Sequence, residues 1–211
     1  MIKILIADDH PIIRKGLIQI LQWEGEYQTS EVESGEKVLE KLFEEQFDLL
    51  LLDINLPGIN GLEVLKTVKQ SNPTLAVLVL SIHPEDQYAI RALKGGASGY
   101  LCKESAPEEL VKAIKKILEG GRYISNKLAD QLADNLFESK TFQLHEDLSD
   151  RELDVMCRIA KGHSLTKIAE DMVLSIKTIS TYRARILEKM HFDNNAEMTA
   201  YSIKNNLISS V

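Results

Sequence analysis

Short apolar runs alternate with amphipathic stretches along the first 123 residues. The runs begin at Ile2, Tyr27, Asp48, Leu75 and Gly99, and each has the length of a β-strand. The stretches that follow them repeat apolar residues at intervals of three and four, which is the spacing of a helix with one buried face. Five successive strand–helix units predict an α/β fold of the doubly wound class, with a parallel sheet covered by helices on both faces.

The C-terminal segment carries only helical signals. Ser149 is followed three residues later by Glu152, which is the spacing of a capping box, and Ser164 and Ser175 are further N-cap candidates. The pattern predicts an all-α domain of four helices. Two of its helices are short and joined by a brief turn, and the second is longer and basic, which is typical of a helix-turn-helix.

The third of these helices, from Ser175 to Met190, has two distinct faces. At about 100° per residue, the apolar side that should pack inward consists of Ile176, Ile179, Ile186, Leu187 and Met190. The opposite side is small and polar with basic edges, which suits the major groove of DNA. We expect phosphate contacts from Lys177, Thr178, Tyr182 and Arg185, and contacts with base edges from Ser180, Thr181 and Ala184. On the pattern alone, a helix face that is merely solvated explains these residues equally well.

Arg183 is ambiguous, because its angular position falls on the packed side of this helix. It could pair with Glu152 of the first helix, its methylene stem lying along the core. It could equally contact a DNA phosphate, and the pattern favours neither role.

Composition excludes several classes of protein. Hydrophobic residues make up 44% and charged residues 27% of the chain, which rules out a disordered or collagen-like chain. No apolar run approaches the roughly 18 residues of a membrane helix, and the segment Met1–Asp9 lacks the regions of a signal peptide. The two cysteines, Cys102 and Cys157, are too few for a disulfide framework and indicate a cytoplasmic protein. Cys157 falls on an apolar stripe, so we expect it in a core.

The net charge of −7 argues against binding to nucleic acid when the chain is taken as a whole. The charge is unevenly spread, however. Residues 148–211 carry nine basic and eight acidic side chains, and the stretch 158–189 carries seven basic and three acidic ones. The excess of acid therefore lies before the predicted helix-turn-helix, and the global figure does not exclude DNA.

Chemically active side chains follow four of the five predicted strands, which end at Asp8 and Asp9, Asp53, Ser81 and Lys103. Since ligands of open parallel sheets bind at the carboxyl ends of the strands, we expect these groups to converge on one rim. Carboxylate oxygens suit a hard cation such as Mg²⁺, and a carboxylate can also be phosphorylated as a nucleophile. The metal would offset the repulsion between carboxylates and phosphoryl group, and the ammonium would bind phosphoryl oxygens.

These residues, with Leu56-Pro57-Gly58 after Asp53, resemble the phosphorylation site of response-regulator receiver domains over about residues 1–122. The resemblance implies a flavodoxin-like sheet of order 2-1-3-4-5. It implies the following roles: Asp53 as phosphoacceptor; Asp8, Asp9, Asp53 and the backbone carbonyl of Asn55 as metal ligands; Ser81, Tyr100 and Lys103 as switch and phosphoryl-binding residues. The sequence departs from many receivers at Glu104, where they carry proline.

Two histidines border this rim. His10 follows the acid pair and His83 lies two residues after Ser81. Neither has a partner at the sequence spacing of a metal site, so we expect both to be polar residues at the pocket edge and not zinc ligands.

The C-terminal segment also resembles a known family, from about residue 146 to 207. Its motifs are Leu148-Ser149-x-Arg151-Glu152, Ile168-Ala169, Leu174-Ser175-x-Lys177-Thr178-Ile179 and Leu187-x-Lys189-Met190, which are similar to the LuxR-type helix-turn-helix. A receiver joined to this module is similar to the NarL/FixJ class of two-component response regulators, and the run Thr181–Arg185 resembles the GacA/UvrY subgroup. The resemblance implies a sensor histidine kinase as partner, promoter DNA as target and a homodimer on DNA. It places the receiver at 1–122, a linker with a helical segment at 123–147 and the DNA-binding domain at 148–211.

Three functional hypotheses follow. The first is a transcription factor controlled by phosphorylation of Asp53. The second is a Mg²⁺-dependent aspartyl-phosphate phosphatase, which needs a second carboxylate close after Asp53, where Ile54 and Asn55 stand. The third is a receiver that acts only through protein partners. Apart from phosphoryl transfer to, and hydrolysis from, its own aspartate, the first hypothesis predicts no enzyme activity.

Overall fold

The structure is a computed structural model that describes residues 1–81, 85–125, 128–130, 144–205 and 207–208. The chain forms two compact units, Met1–Gln131 and Leu132–Val211. Within the described ranges, no helix is both long enough and apolar enough to cross a lipid bilayer. The predicted pocket-edge residue His83 lies outside the described residues.

The first unit is built on one five-stranded parallel sheet in the order β2-β1-β3-β4-β5, which confirms the predicted class and strand order. Its strands are β1 (Ile2–Ala7), β2 (Tyr27–Val32), β3 (Leu49–Asp53), β4 (Ala76–Ser81) and β5 (Gly99–Cys102). Its helices are α1 (Pro11–Glu24), α2 (Gly35–Glu44), α3 (Gly61–Ser71), α4 (Glu85–Lys94) and α5 (Ala106–Leu118).

The burial of the central strands explains why apolar and polar residues do not alternate along their sequence. All five residues of β3 are buried, and the four leucines Leu49–Leu52 are fully so. A parallel strand between two layers of helices has no solvent face, so it can be apolar at every position. The edge strand β2, by contrast, mixes buried and exposed residues along its length.

Tyr123 extends the sheet beyond β5. Its backbone N–H donates to Ser98 O at 3.0 Å, and its carbonyl accepts from Tyr100 N–H at 3.0 Å. Its side chain is buried. The first residue of the predicted linker therefore packs on the sheet of the first unit.

The loop after β3 depends on two glycines. Gly58 has φ of 69°, in the left-handed region that side chains disfavour. Gly61 passes so close to β3 that a Cβ there would collide with the carbonyl oxygen of Asp53. Its N–H donates to Ile54 O at 2.9 Å, so the loop folds tightly back over the end of the strand.

The described part of the second unit is entirely helical. It contains a 3₁₀ turn (Leu144–Asp147), α6 (Asp150–Ala160), α7 (Leu165–Asp171), α8 (Ile176–Met190) and α9 (Asn195–Lys204). Ser149 and Glu152 form the predicted capping box at the start of α6. Ser164 and Ser175 cap α7 and α8 through 3.2 Å and 3.0 Å hydrogen bonds from backbone N–H groups. The all-α prediction for this segment is confirmed.

The core of this unit confirms most of the predicted stripe. Cys157 is buried among Leu153 and Met156 of its own helix, and Ile179 and Ile186 of α8 are fully buried. The prediction for Ile176 is wrong: its exposed fraction is 50%. It is the first residue of α8, and helical periodicity does not show how far the packed face extends toward the end of a helix.

Candidate functional site

Three charged side chains meet at the carboxyl ends of β1, β3 and β5. Lys103 Nζ lies 2.7 Å from Asp53 Oδ2 and 2.6 Å from Asp8 Oδ2. Both carboxylates are fully buried as residues, and the lysine side chain is only 6% exposed. This is the point where the strand order reverses between β1 and β3, which is where open α/β sheets bind ligands.

Backbone groups fix the two buried carboxylates. Asp53 Oδ1 accepts a 3.1 Å hydrogen bond from Asn55 N–H, and Asp8 Oδ1 accepts a 2.8 Å hydrogen bond from His10 N–H. One oxygen of each carboxylate is thus held by its own loop while the other faces Lys103. The carboxylates are positioned before any ligand arrives.

Burial and the nearby opposite charge shift the pKa of each group in this pocket in opposite directions. Burial raises the pKa of Asp53, and the nearby Asp8 carboxylate raises it further, against the opposing effect of Lys103. Burial alone would lower the pKa of Lys103, but Asp53 and Asp8 outweigh it and raise that pKa. Lys103 therefore stays charged, and the pocket holds an excess of negative charge that a cation would relieve.

Arg14 was not predicted from the sequence as a site residue. It helps to fix this pocket by binding the backbone at Asp8. Its Nη1 donates to the backbone carbonyl of Asp8 at 2.7 Å, and its Nε donates to Glu31 Oε2 at 2.8 Å. The side chain is only 12% exposed. The signal in the sequence was weak: an arginine beside the apolar stripe of α1.

The ligand atoms of Asp8, Asp9, His10 and Asp53 all lie within 4.8 Å of one another. In the described structure, Asp9 Oδ1 is a buried oxygen that accepts no hydrogen bond, and the buried Asp8 Oδ2 lies 2.6 Å from the Lys103 ammonium. Buried oxygens of this kind suit a divalent cation, so the residues fit a metal site. His10 lies at the edge of this pocket with its side chain 56% exposed, and the fold brings its ring nitrogen close to the carboxylates.

The other predicted site residues lie on the strands next to this pocket. Ser81 ends β4 and is fully buried, and its carbonyl accepts from Lys103 N–H at 2.8 Å. Tyr100 lies on β5, where it pairs with Val79, and is fully buried.

The second candidate site is the exposed face of α8. Five residues predicted to point outward are exposed: Lys177, Ser180, Thr181, Ala184 and Arg185. Thr178 and Tyr182 are half-buried. The Thr181 hydroxyl donates to Lys177 O at 3.0 Å, so toward a partner it offers a methyl group and acceptor lone pairs.

Among the described residues, Arg183 does not pair with Glu152, which was one of the two roles left open for it. Lys189 occupies that role instead, with Nζ 2.6 Å from Glu152 Oε2. Arg183 Nε donates to Asn195 Oδ1 of α9 at 2.8 Å. Burial would raise the pKa of Glu152, but hydrogen bonds from Lys189 and Ser149 outweigh it and lower that pKa. Lys189 lies nearly two turns beyond Arg183 on α8. The sequence pattern suggested only Arg183 as a partner of Glu152, so the role of Lys189 was not predicted.

Known protein families match both parts of the chain. Residues 4–115 match the response regulator receiver domain, and residues 146–202 match the bacterial regulatory proteins of the luxR family. The chain belongs to the LuxR-type response regulators. It is a two-component regulator of transcription with a DNA-binding C-terminal domain, and it is not a classical enzyme, which sets the phosphatase hypothesis aside.

Relatives of this regulator match it from end to end. It is 34% identical to response regulator GacA of Pseudomonas aeruginosa over 212 residues, covering 100% of this chain and 99% of the relative. It is 34% identical to response regulator UvrY of Escherichia coli, covering 100% and 97%. Among solved structures it resembles RcsB of Salmonella typhimurium (TM-score 0.58, 26% identity, 95% and 97% coverage) and an RcsB–DNA complex (TM-score 0.59, 25% identity, 95% and 96% coverage).

Proposed function

We propose that Asp53 is the phosphoacceptor of this regulator and that a sensor histidine kinase is its donor. The observation that carries the proposal is the Asp53 carboxylate, buried between Asn55 N–H and the Lys103 ammonium with Asp8 beside it. A carboxylate oxygen of Asp53 attacks the phosphorus, the new P–O bond replaces the P–N bond to the kinase histidine, and the imidazole leaves. Lys103 then moves its contact from the carboxylate to a phosphoryl oxygen.

The cation that this site takes in the proposal is Mg²⁺, held by the side chains of Asp8, Asp9 and Asp53 and the backbone carbonyl of Asn55. When bound, it neutralises charge on the phosphoryl oxygens. The chain catalyses phosphoryl transfer to Asp53 and the slow hydrolysis of the resulting acyl phosphate, and it acts on no other substrate. Ser81 and Tyr100 act as switch residues: the phosphoryl group draws the Ser81 hydroxyl toward it, and the space this leaves holds Tyr100 inward.

The DNA contacts proposed for α8 use its exposed face. Lys177, Thr178, Tyr182 and Arg185 contact phosphates, while Ser180, Thr181 and Ala184 face base edges. Arg183, whose Nε is engaged with Asn195, contributes its remaining N–H groups to a phosphate. Because residues 148–211 carry a net charge of only +1, one copy binds weakly, and a homodimer doubles the phosphate contacts.

The proposal also includes the bounds of the domains and the location of the protein in the cell. The receiver extends over 1–122, a linker with a helical segment over 123–147, and the DNA-binding domain over 148–211. Both the kinase's phosphoryl group and promoter DNA are cytoplasmic, so we place the protein there. Family membership supports each of these assignments.

DNA binding by the full chain, with and without acetyl phosphate, tests the proposal. We expect footprints on genomic fragments that change with acetyl phosphate in the wild type and do not change in Asp53→Asn. Lys177→Ala should weaken binding to every bound fragment and lower the slope of log affinity against log salt by about 0.9. Lys161→Ala, an exposed lysine outside α8, is the matched control and should leave the slope unchanged. A wild type that binds no fragment under either condition, or an equal response in Asp53→Asn, would contradict the proposal.

A further inference from the structure

The exposed face of α8 has short side chains at its centre and cationic ones on either side. Thr181 and Ala184 lie one turn apart on this face, and both are exposed. Lys177 and Arg185, each four residues from Thr181 along the helix, are exposed as well. Because the lysine and the arginine can reach phosphates, the two short residues between them are left to face the bases.

The C-terminal end of the same face carries an acidic residue. Glu188 is exposed and follows Thr181 by seven residues, which is about two helical turns and nearly the same angular position. Its carboxylate would repel DNA phosphates. The face therefore enters the major groove with its N-terminal turns, as recognition helices do, and Thr181 lies in that half of the helix.

The hydroxyl group of Thr181 is committed to the helix backbone. Its Oγ1 donates to Lys177 O at 3.0 Å, and a hydroxyl group has only one hydrogen to donate. While this bond holds, Thr181 cannot donate to an acceptor on a base, and it presents its methyl group and the Oγ1 lone pairs to a partner. Ala184 beside it ends at a methyl group, so it does not hold the helix away from the bases.

Thymine is the only base whose major-groove edge carries a methyl group, whereas the other bases present hydrogen-bond donors and acceptors there. A methyl group pressed against those polar edges would desolvate them without replacing their hydrogen bonds to water. We propose that the Thr181 methyl group recognises the 5-methyl group of thymine, so that each bound half-site carries a thymine at the position that Thr181 faces. The inference rests on the DNA binding under the proposed function and adds which base this side chain selects.

Binding of the full chain to a genomic fragment identified by footprinting tests the inference, with the thymidines of the footprint replaced one at a time by deoxyuridine. Deoxyuridine keeps the base pair and every other major-groove group and removes only the methyl group. Loss of one buried methyl group should weaken binding of the wild type about fourfold at one position in each half-site.

Three variants assign that position to a side chain. Thr181→Ser keeps the hydroxyl without the methyl group and should bind the thymidine and deoxyuridine fragments equally. Thr181→Val keeps a methyl group and removes the hydroxyl, so the preference of about fourfold should remain. Ser180→Ala removes the hydroxyl of the exposed neighbouring residue and is the matched control, which should leave this preference unchanged.

A wild type with no position sensitive to the methyl group, or a Thr181→Ser variant that keeps the preference at the sensitive position, would overturn the inference while DNA binding stands. Loss of the preference in Thr181→Val would assign the contact to the Oγ1 lone pairs and would also overturn it. Failure of the wild type to bind any genomic fragment would overturn the proposed DNA binding together with the inference.

Discussion

The acidic pocket and the recognition helix show two different ways of building a functional site. In the pocket, the Lys103 ammonium lies within 2.7 Å of an oxygen of each of two buried carboxylates, and the geometry is set by strand ends. The face of α8 exposes its functional side chains to solvent, and only the inward face of the helix is fixed by packing. Removing one partner from a buried charged site costs much stability, because the remaining charge stays buried and unpaired. Charged residues on an exposed face contribute little to stability, and they make their main contacts only when the partner binds.

The largest effect should come from breaking the pocket's charge balance. Lys103→Met leaves Asp8 and Asp53 buried without a counter-charge, so we expect it to lower the free energy of unfolding of the first unit by about 3–5 kcal/mol. Hydrogen exchange of the β1 and β3 amides in the full chain, measured in EDTA, reports this loss.

The matched variant is Asp53→Asn, which removes one of the two like charges and leaves Lys103 paired with Asp8. Because the pKa of Asp53 is raised by burial, its loss should stabilise the same amides. Destabilisation by Asp53→Asn as large as that by Lys103→Met would contradict the charge balance described for the pocket.

A smaller effect separates Lys189 from Arg183, two of the basic residues of α8. Lys189→Met leaves the Glu152 carboxylate, whose side chain is 4% exposed, without its charged partner. Since Lys189 itself is 41% exposed, we expect a cost of only about 1–2 kcal/mol. Arg183→Met removes a hydrogen bond at the surface and should cost within about 0.5 kcal/mol. Exchange of α6 and α8 amides measures both, and the reverse order of the two costs would refute the assignment of Lys189.

The smallest effect is a difference in pH response. The raised pKa of Asp53 gives stability that is complete below the unfolded value of about 3.9 and is lost as pH rises through the folded pKa. The lowered pKa of Glu152 gives stability that is present above about 4.3 and is lost as pH falls through the folded pKa. Acidification toward pH 4 should therefore favour the first unit through Asp53 and, at lower pH, weaken the second through Glu152.

Asp53→Asn should flatten the first of these dependences and Glu152→Gln the second. Amide exchange in each unit across this pH range measures them separately. A pH response that either variant leaves unchanged would show that the named carboxyl group is not its source.

The pocket could be predicted from the sequence because parallel strands bring their carboxyl ends together. Asp8, Asp53 and Lys103 needed only the strand boundaries to be placed at one rim. The role of Arg14 could not be predicted, because it depends on how α1 begins against the sheet. Sequence spacing does not measure such a contact between elements.

On α8 the helical periodicity predicted the exposed face correctly. It was wrong for Ile176 at the start of the helix, and it did not identify the partner of Glu152. Ile176, the first residue of α8, is half-exposed although it falls on the apolar stripe, whereas Ile179 in the same turn is fully buried. The choice between Arg183 and Lys189 as partner of Glu152 depends on the crossing of α6 and α8, which the sequence of one helix does not contain.

The most direct test of the central claim is the intact mass of the full chain after incubation with acetyl phosphate and Mg²⁺. The account predicts addition of a single phosphoryl group to the wild type, located on Asp53 by borohydride reduction and peptide mapping, and no addition to Asp53→Asn. A phosphoryl group found on Asp53→Asn, or on another residue of the wild type, would contradict it.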